Sequence, residues 1–231
     1  MAKAPWAIPN TASGSGNSTT SWTATAYEGR IARETTAVYT DTNGMYSRNC
    51  HITQAGKPLF ITLSNPSGTA SNNGGTSNYS ARRTGETLTI TGRTNAASIT
   101  YATFSLGAGE VDGSIDITLP GTYTANSATT TNGVEISGDP GAGQGFDFSI
   151  SVTIPENNSV ERTLGVGISI TASDGNGNTA VWNIRITQVG VASYLYIGSN
   201  NNTQDISITI PADGTPAQTV NVYSNTSWTI S

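Results

Sequence analysis

Cys50 and His51 are the chain's single cysteine and single histidine, and a thiol beside an imidazole is the pairing from which a nucleophile is made. They sit in a stretch that alternates as a strand does, where neighbouring side chains point to opposite faces. A shared pocket is therefore ruled out: Cys50 is expected on the buried face with Ile52, as a small hydrophobe, and His51 towards solvent. One histidine makes no metal pair, and one cysteine makes no intrachain disulfide. Two further sets of residues invite chemistry. Asp112 with Asp116, and Asp139 with Asp147, are acids close enough in sequence to suggest the carboxylate pair of a glycoside hydrolase. They lie in glycine-rich stretches, where aspartate is a turn former. The run Asp174-Gly175-Asn176-Gly177-Asn178 spaces oxygen ligands as the opening of a calcium loop does, yet Arg185 stands where the closing acid is needed. A corresponding hairpin at 41–44, Asp-Thr-Asn-Gly, reads as a turn, and so does this one. No catalytic residue, metal site or cofactor is expected.

The elements that carry these residues are strands. Only 11% of the 231 residues are charged and 35% are hydrophobic, with 26 glycines and abundant Thr, Ser and Asn. Such a composition suits short strands and tight turns, and good helix formers never fall at a 3.6-residue spacing. Alternation is clear in Phe146, Phe148, Ile150, Val152 and Ile154, in Ile115, Ile117 and Leu119, and in Trp182, Ile184 and Ile186. Each series predicts a strand with one buried face. The fold class expected is all-β, built of immunoglobulin-like sandwiches.

An internal repeat organises the chain. Ile52-Thr-Gln-Ala-Gly56 is echoed by Ile186-Thr-Gln-Val-Gly190, and the residues upstream, 33–56 and 161–190, share a charged start, a strand, a Gly/Asn turn and a closing strand. Asn43-Gly44 has the sequence that type I′ turns prefer. Downstream, Leu59-Phe-Ile-Thr-Leu-Ser-Asn65 is matched with Leu195-Tyr-Ile-Gly-Ser-Asn-Asn201, and residues 86–102 with 219–231. One complete sandwich is expected over 57–190. It is flanked by a closing half-repeat at 17–56 and an opening half-repeat at 191–231. A half-sandwich leaves an unpaired edge and a bare apolar face. The two halves are therefore expected to complete one sandwich, within the chain or by strand exchange between copies. The residues that would close it are Trp22, Ile52, Val220, Val222 and Trp228.

Charge is unevenly placed. Residues 1–93 hold eight bases and four acids, the rest two bases and eleven acids, which sum to the net −5. The acidic total argues against a nucleic-acid partner, and the asymmetry favours head-to-tail contacts or docking of the basic part on an acidic surface. No apolar run reaches the length of a membrane span, and residues 1–10 lack the apolar core of a signal peptide, so synthesis in the cytoplasm is expected. Sequons such as Asn78-Tyr-Ser80 and Asn225-Thr-Ser227 then carry no glycan. Residues 1–16, with Trp6 between Pro5 and Pro9, are expected to form an arm rather than a strand, with Trp6 as an anchor in a partner's pocket. Tyr and Trp residues suit sugar stacking, so exposed members of Tyr194, Tyr196 and Tyr223 are candidates for a glycan-binding face, against core or edge packing for most of them.

The Ser-Asn-Thr-Ser-Trp228 run near an early strand, the Gly/Asn hairpin and the last strand ending Ile-Thr-Gln-x-Gly resemble the BACON domains, immunoglobulin-like modules common in Bacteroidetes proteins and in the phages that infect them. The resemblance rests on short motifs and extends over most of the chain only through the repeat. It implies a sandwich of seven or eight strands and a role in glycan or mucin binding. A chain of such modules with no enzyme attached is similar to the virion surface proteins of crAss-like bacteriophages. The function this implies is that of an auxiliary capsid, or decoration, protein on the virion surface, assembled in the host cytoplasm. Lys3, Trp6, Arg82 and Arg83 would bind the major capsid protein, and neighbouring copies would touch one another. A head fibre is the alternative, although an extended shaft is expected of a fibre; an adhesin module that binds glycans is another.

Overall fold

The computed structural model describes residues 3–71, 74–119, 123–124, 139–212, 214 and 217–231. The chain is all-β, and its one described helical turn is a short 3-10 segment, Pro140–Ala142. The strands are β1 Ala7–Pro9, β2 Trp22–Ala24, β3 Arg33–Thr40, β4 Ser47–Gln54, β5 Ile61–Asn65, β6 Thr69–Ser71, β7 Gly74–Ala81, β8 Glu86–Thr94, β9 Ser98–Phe104, β10 Gly113–Ser114, β11 Tyr123–Thr124, β12 Phe146–Ile154, β13 Leu164–Ser173, β14 Thr179–Gln188, β15 Leu195–Ile197 and β16 Val222–Ser224.

A two-layered sandwich occupies the middle of the chain. One layer is β12-β8-β5, and the other runs β11-β9-β13-β14-β7-β6, with β10 beside β13. The hairpin β13–β14 is antiparallel over ten residue pairs, while β7 joins β14 in parallel. This is the immunoglobulin-like arrangement, in which the chain crosses between sheets near its start and returns along the final strand.

Period-two patterning accounts for the core. Along β12, Phe146, Phe148, Ile150, Val152 and Ile154 are buried while every intervening residue is exposed. They face Ile168 and Ile170 on β13 and Trp182, Ile184 and Ile186 on β14, all 2% exposed or less. Trp182 is too large to bury without a partner for its N–H, and Nε1 donates to Ser77 Oγ at 2.8 Å, tying β14 to β7. Ile115, Ile117 and Leu119 also reach the core, but as irregular chain; Ile115 N donates to the Gly165 carbonyl just beyond the two-residue β10.

The Gln-x-Gly motif ends this unit for a local reason. Gln188 is 1% exposed, and its Nε2 donates to the carbonyls of Arg82 at 2.7 Å and Pro155 at 2.8 Å, gathering two loops under the sandwich. At Gly190 the chain then crosses the backbone, where a Cβ would lie 2.1 Å from the Ser159 carbonyl oxygen.

Candidate assembly surfaces

The same construction recurs in the N-terminal part, β3–β4. Arg33 pairs with Gln54 as Leu164 pairs with Gln188, which sets β3 131 residues from β13 and β4 134 residues from β14. A Cβ on Gly56 would lie 1.9 Å from the Arg30 carbonyl oxygen, the counterpart of Gly190. Lys57 N donates to Gly29 and Val191 N to Ser159, both at 2.8 Å. Cys50, Ile52 and Gln54 thus hold the places of Ile184, Ile186 and Gln188. The turn differs from expectation: of Asn43 and Gly44 only Gly44 has positive φ, and Gly44 N donates to the Asp41 carbonyl. Six residues, 41–46, separate the paired Thr40 and Ser47, so the two-residue I′ geometry is not required.

What covers this hairpin is the chain's own start. Residues 7–9, read from sequence as arm, form β1 and pair with β2, with Pro9 opposite Trp22. A two-stranded ribbon needs only one edge of each strand, so proline is accommodated. Ala4 N donates to Thr35 Oγ1 at 2.8 Å, Trp22 Nε1 to the Tyr39 hydroxyl at 3.1 Å, and the Arg33 guanidinium lies 4.6 Å from the Trp6 ring and 4.4 Å from the Tyr27 ring. Trp6 is therefore half-buried against its own chain rather than projecting as a free anchor. Lys3 Nζ donates to the Ala7 carbonyl at 2.8 Å.

Polar contacts seat this part on one end of the sandwich. Glu28 accepts from Arg93 Nε at 2.8 Å and pairs with Lys57 at 3.6 Å; hydrogen bonding from Arg93 holds its carboxyl below the usual value, against an opposing effect of burial. Arg30, largely buried, pairs with Asp139 and donates to the Asn95 carbonyl. Arg30 N and Ile31 N donate to the carbonyls of Gly141 and Ala142. Asn95, fully buried, gives its amide to the carbonyls of Glu28, Lys57 and Pro58 while its oxygen accepts from Phe60 N.

The opposite end carries the C-terminal part. Val191 meets Ser159 and Glu161 there, and β15 pairs with β16. Tyr194 N donates to Asn225 Oδ1 at 2.9 Å, Asn225 Nδ2 to the Ala192 carbonyl at 3.0 Å, and Ser224 Oγ to the Tyr194 carbonyl at 3.1 Å. Asn95 and Thr94 make the same bonds to Phe60, Pro58 and the Phe60 carbonyl. Leu195 consequently matches Ile61, two residues from the match that sequence alone suggested; the inward-facing set is unchanged because a two-residue shift preserves the face.

Among the described residues the two halves do not pair with each other. Ile52 and Cys50 on β4 are only half-buried, so the thiol lacks the enclosure that the alignment with Ile184 implied. Among the described residues no three-stranded layer lies over β4 as β12-β8-β5 lies over Ile184. Trp22 packs on β1 and Tyr39, whereas Val222 lies on β16, Val220 just before it, and Trp228, 47% exposed, beyond it. The basic residues also separate. Lys3 belongs to the N-terminal part, while Arg82, paired with Glu86, and Arg83, paired with Glu156, sit at the other end beside Gln188.

Of the acids considered for chemistry, Asp112, Asp139, Asp147 and Asp174 are engaged in holding the fold. Asp139 binds Arg30 and Asp147 binds Arg93. Asp112 accepts from Thr163 N, and Asp116 is exposed. Asp174 accepts from Asn178 Nδ2 and from the backbone of Asn176 and Asn178, bonds that lower its pKa, the first of them most. Among the described residues no three His, Cys, Asp or Glu side chains gather as metal ligands. His51 is exposed, with Nδ1 3.1 Å from Thr36 Oγ1. Tyr194 and Tyr196 stack, with ring centroids 5.1 Å apart. No described helix is long and apolar enough to cross a membrane.

No family model and no curated protein matches the chain. Among solved structures, it is similar to the first three extracellular domains of the mouse clustered protocadherin PcdhgC3, at 10% identity and a TM-score of 0.33 over 68% of this chain and 42% of that one. It is also similar to BcpA, the major pilin subunit of Bacillus cereus, at 9% identity and a TM-score of 0.29 over 90% of this chain and 66% of that one. The chain thus spans less than two thirds of either.

Proposed function

We propose that this chain is a non-catalytic assembly module of a virion surface, an auxiliary capsid protein that binds the major capsid protein and displays its immunoglobulin-like sandwich on the head. The observation that supports this reading is the placement of two incomplete, apolar-rich sheets at opposite ends of one well-packed sandwich. Ile31 and Met45 are exposed at one end, and Leu195, Ile208 and Trp228 at the other. Apolar ends of this kind serve protein contact rather than turnover. The motif resemblance supplies the virion context.

Rebinding tests the proposal. Purified protein added to capsids stripped of it should bind saturably, at a fixed ratio to the major capsid protein. Absence of rebinding at every concentration would overturn the decoration reading. The stacked Tyr194 and Tyr196 favour a second reading, in which the same protein binds glycans. That reading requires saturable binding to mucin that Tyr194→Ala and Tyr196→Ala abolish. Labelled protein seen by electron microscopy as a projecting shaft, instead of a surface knob, would point to the head-fibre alternative.

A further inference from the structure

We propose that residues 206–210 of one copy add as a parallel strand to the outer edge of β4 in a second copy, with Ile206, Ile208 and Ile210 facing inward opposite Cys50, Ile52 and Gln54. The proposal goes beyond the capsid reading and does not depend on it.

The template is inside the chain. In the complete sandwich β7 lies parallel to β14, pairing Ser77 with Ile184, Tyr79 with Ile186 and Ala81 with Gln188. This covers the edge of β14 and buries its inward side chains. The hairpin β3–β4 is built as β13–β14 is, down to the glycine crossing that follows it, but among the described residues β4 pairs only with β3. Its other edge is an open ladder of donors and acceptors.

The segment that fits this edge is found in the C-terminal part, where the order of features repeats that of residues 58–95. Gly85 has φ +78 and its N–H donates to the Arg82 carbonyl at 3.0 Å; Gly214 has φ +74 and donates to Pro211 at 2.9 Å. Counting back from these turns, Ile206, Ile208 and Ile210 stand where Ser77, Tyr79 and Ala81 stand. Residues 206–210 alternate as a strand yet form none, and the three isoleucines are 37%, 52% and 58% exposed. They are a β7 without a β14, as β4 is a β14 without a β7.

Geometry keeps these two surfaces of one molecule from meeting each other, and a second copy presents both of them. The N-terminal part is seated at the end of the sandwich marked by Asn95 and Ser173, and the C-terminal part leaves from the end marked by Ser159 and Gln188. Strand β13 runs ten residues between these ends, about 30 Å at the usual rise per residue. The two surfaces of one molecule are therefore held apart and face opposite ways. Contact between them across copies is head-to-tail, and it propagates as a ring or a line of alternating complete and composite sandwiches.

The single native cysteine provides the test. In full-length Ile206→Cys protein, a short bis-maleimide should join position 206 to Cys50 of the next copy and give a ladder of covalent dimers and higher species. The ladder should vanish in Ile206→Cys/Cys50→Ser and be much weaker for Ser207→Cys, whose side chain points to the other face. A cross-link confined to single chains, equal yields at 206 and 207, or no cross-link would each overturn the proposal. Sedimentation supplies an independent readout. Ile208 is exposed in the single chain, so Ile208→Asp should fold normally and weaken self-association by roughly tenfold or more. Wild-type protein that stays monomeric at the highest concentration reached would sink the idea, whatever the outcome of capsid rebinding.

Discussion

Asn225 repeats, at one end of the molecule, the bonds that Asn95 makes at the other: each oxygen accepts from the backbone N–H of an aromatic residue, Tyr194 at 2.9 Å and Phe60 at 3.0 Å, and each amide reaches the carbonyl two residues before it. The two differ in what surrounds them. Asn95 is fully buried and also holds the Glu28 carbonyl, whereas Asn225 is half-buried. Asn95→Ala should therefore cost about 2–3 kcal/mol in denaturant unfolding and loosen the N-terminal part as well. Asn225→Ala should cost about 1 kcal/mol or less and act on the C-terminal strands, a split that hydrogen exchange of residues 27–31 against 194–197 would resolve.

Docking of the N-terminal part should be acid-sensitive through Glu28. Hydrogen bonds from Arg93 lower its pKa in the folded chain below the ordinary 4.5, so the stability it contributes is fully present above about pH 4.5 and is lost as pH falls through the folded-state value. Acid titration followed by hydrogen exchange over 27–56 should show this part loosening before the sandwich unfolds. Glu28→Gln should already be loosened at neutral pH and lose that pH dependence.

The central core should dominate global stability. Ile168, wholly buried between the sheets, should cost about 3 kcal/mol or more as Ile168→Ala in urea unfolding. Met45, 73% exposed in the β3–β4 turn, should change it by less than about 0.5 kcal/mol as Met45→Ala.

The two crossing glycines should be equally intolerant of a side chain but differ in reach. Gly190→Ala and Gly56→Ala each drive a Cβ into a carbonyl oxygen and should each cost about 2 kcal/mol or more of local stability. Calorimetry should show Gly190→Ala lowering the main transition, and Gly56→Ala leaving it near its wild-type temperature while limited proteolysis cuts residues 27–56 sooner.

Much of this was legible in the residues. Alternation from Phe146 to Ile154 marked a strand because a half-buried strand must alternate, and the paired Ile-Thr-Gln-x-Gly motifs marked two equivalent hairpins because the glutamine and glycine serve the same crossing in each. The candidate site was legible in part. Ile52, Val220 and Val222 were assigned to incomplete sheets from the repeat alone, but residues 206–210 were missed as a strand in waiting. The signal that marks them, Gly214 as the counterpart of Gly85, shows only when positive φ and the bond to Pro211 are seen. The arm was misread because Pro5 and Pro9 weigh against a strand locally, whereas the pairing with β2 comes from residues more than ten positions away.

By itself, then, the sequence determined the all-β class, the buried faces of the central sandwich and the repeat, since each depends on side-chain period or on a turn whose geometry only certain residues adopt. Only the tertiary structure decided that Trp6 packs against Arg33, that Leu195 matches Ile61, and that the two incomplete parts sit at opposite ends of one sandwich. Those facts depend on long-range pairing, in which a polar side chain such as Asn95 or Glu28 chooses among many carbonyls and cations of similar chemistry, and distance in the fold makes the choice.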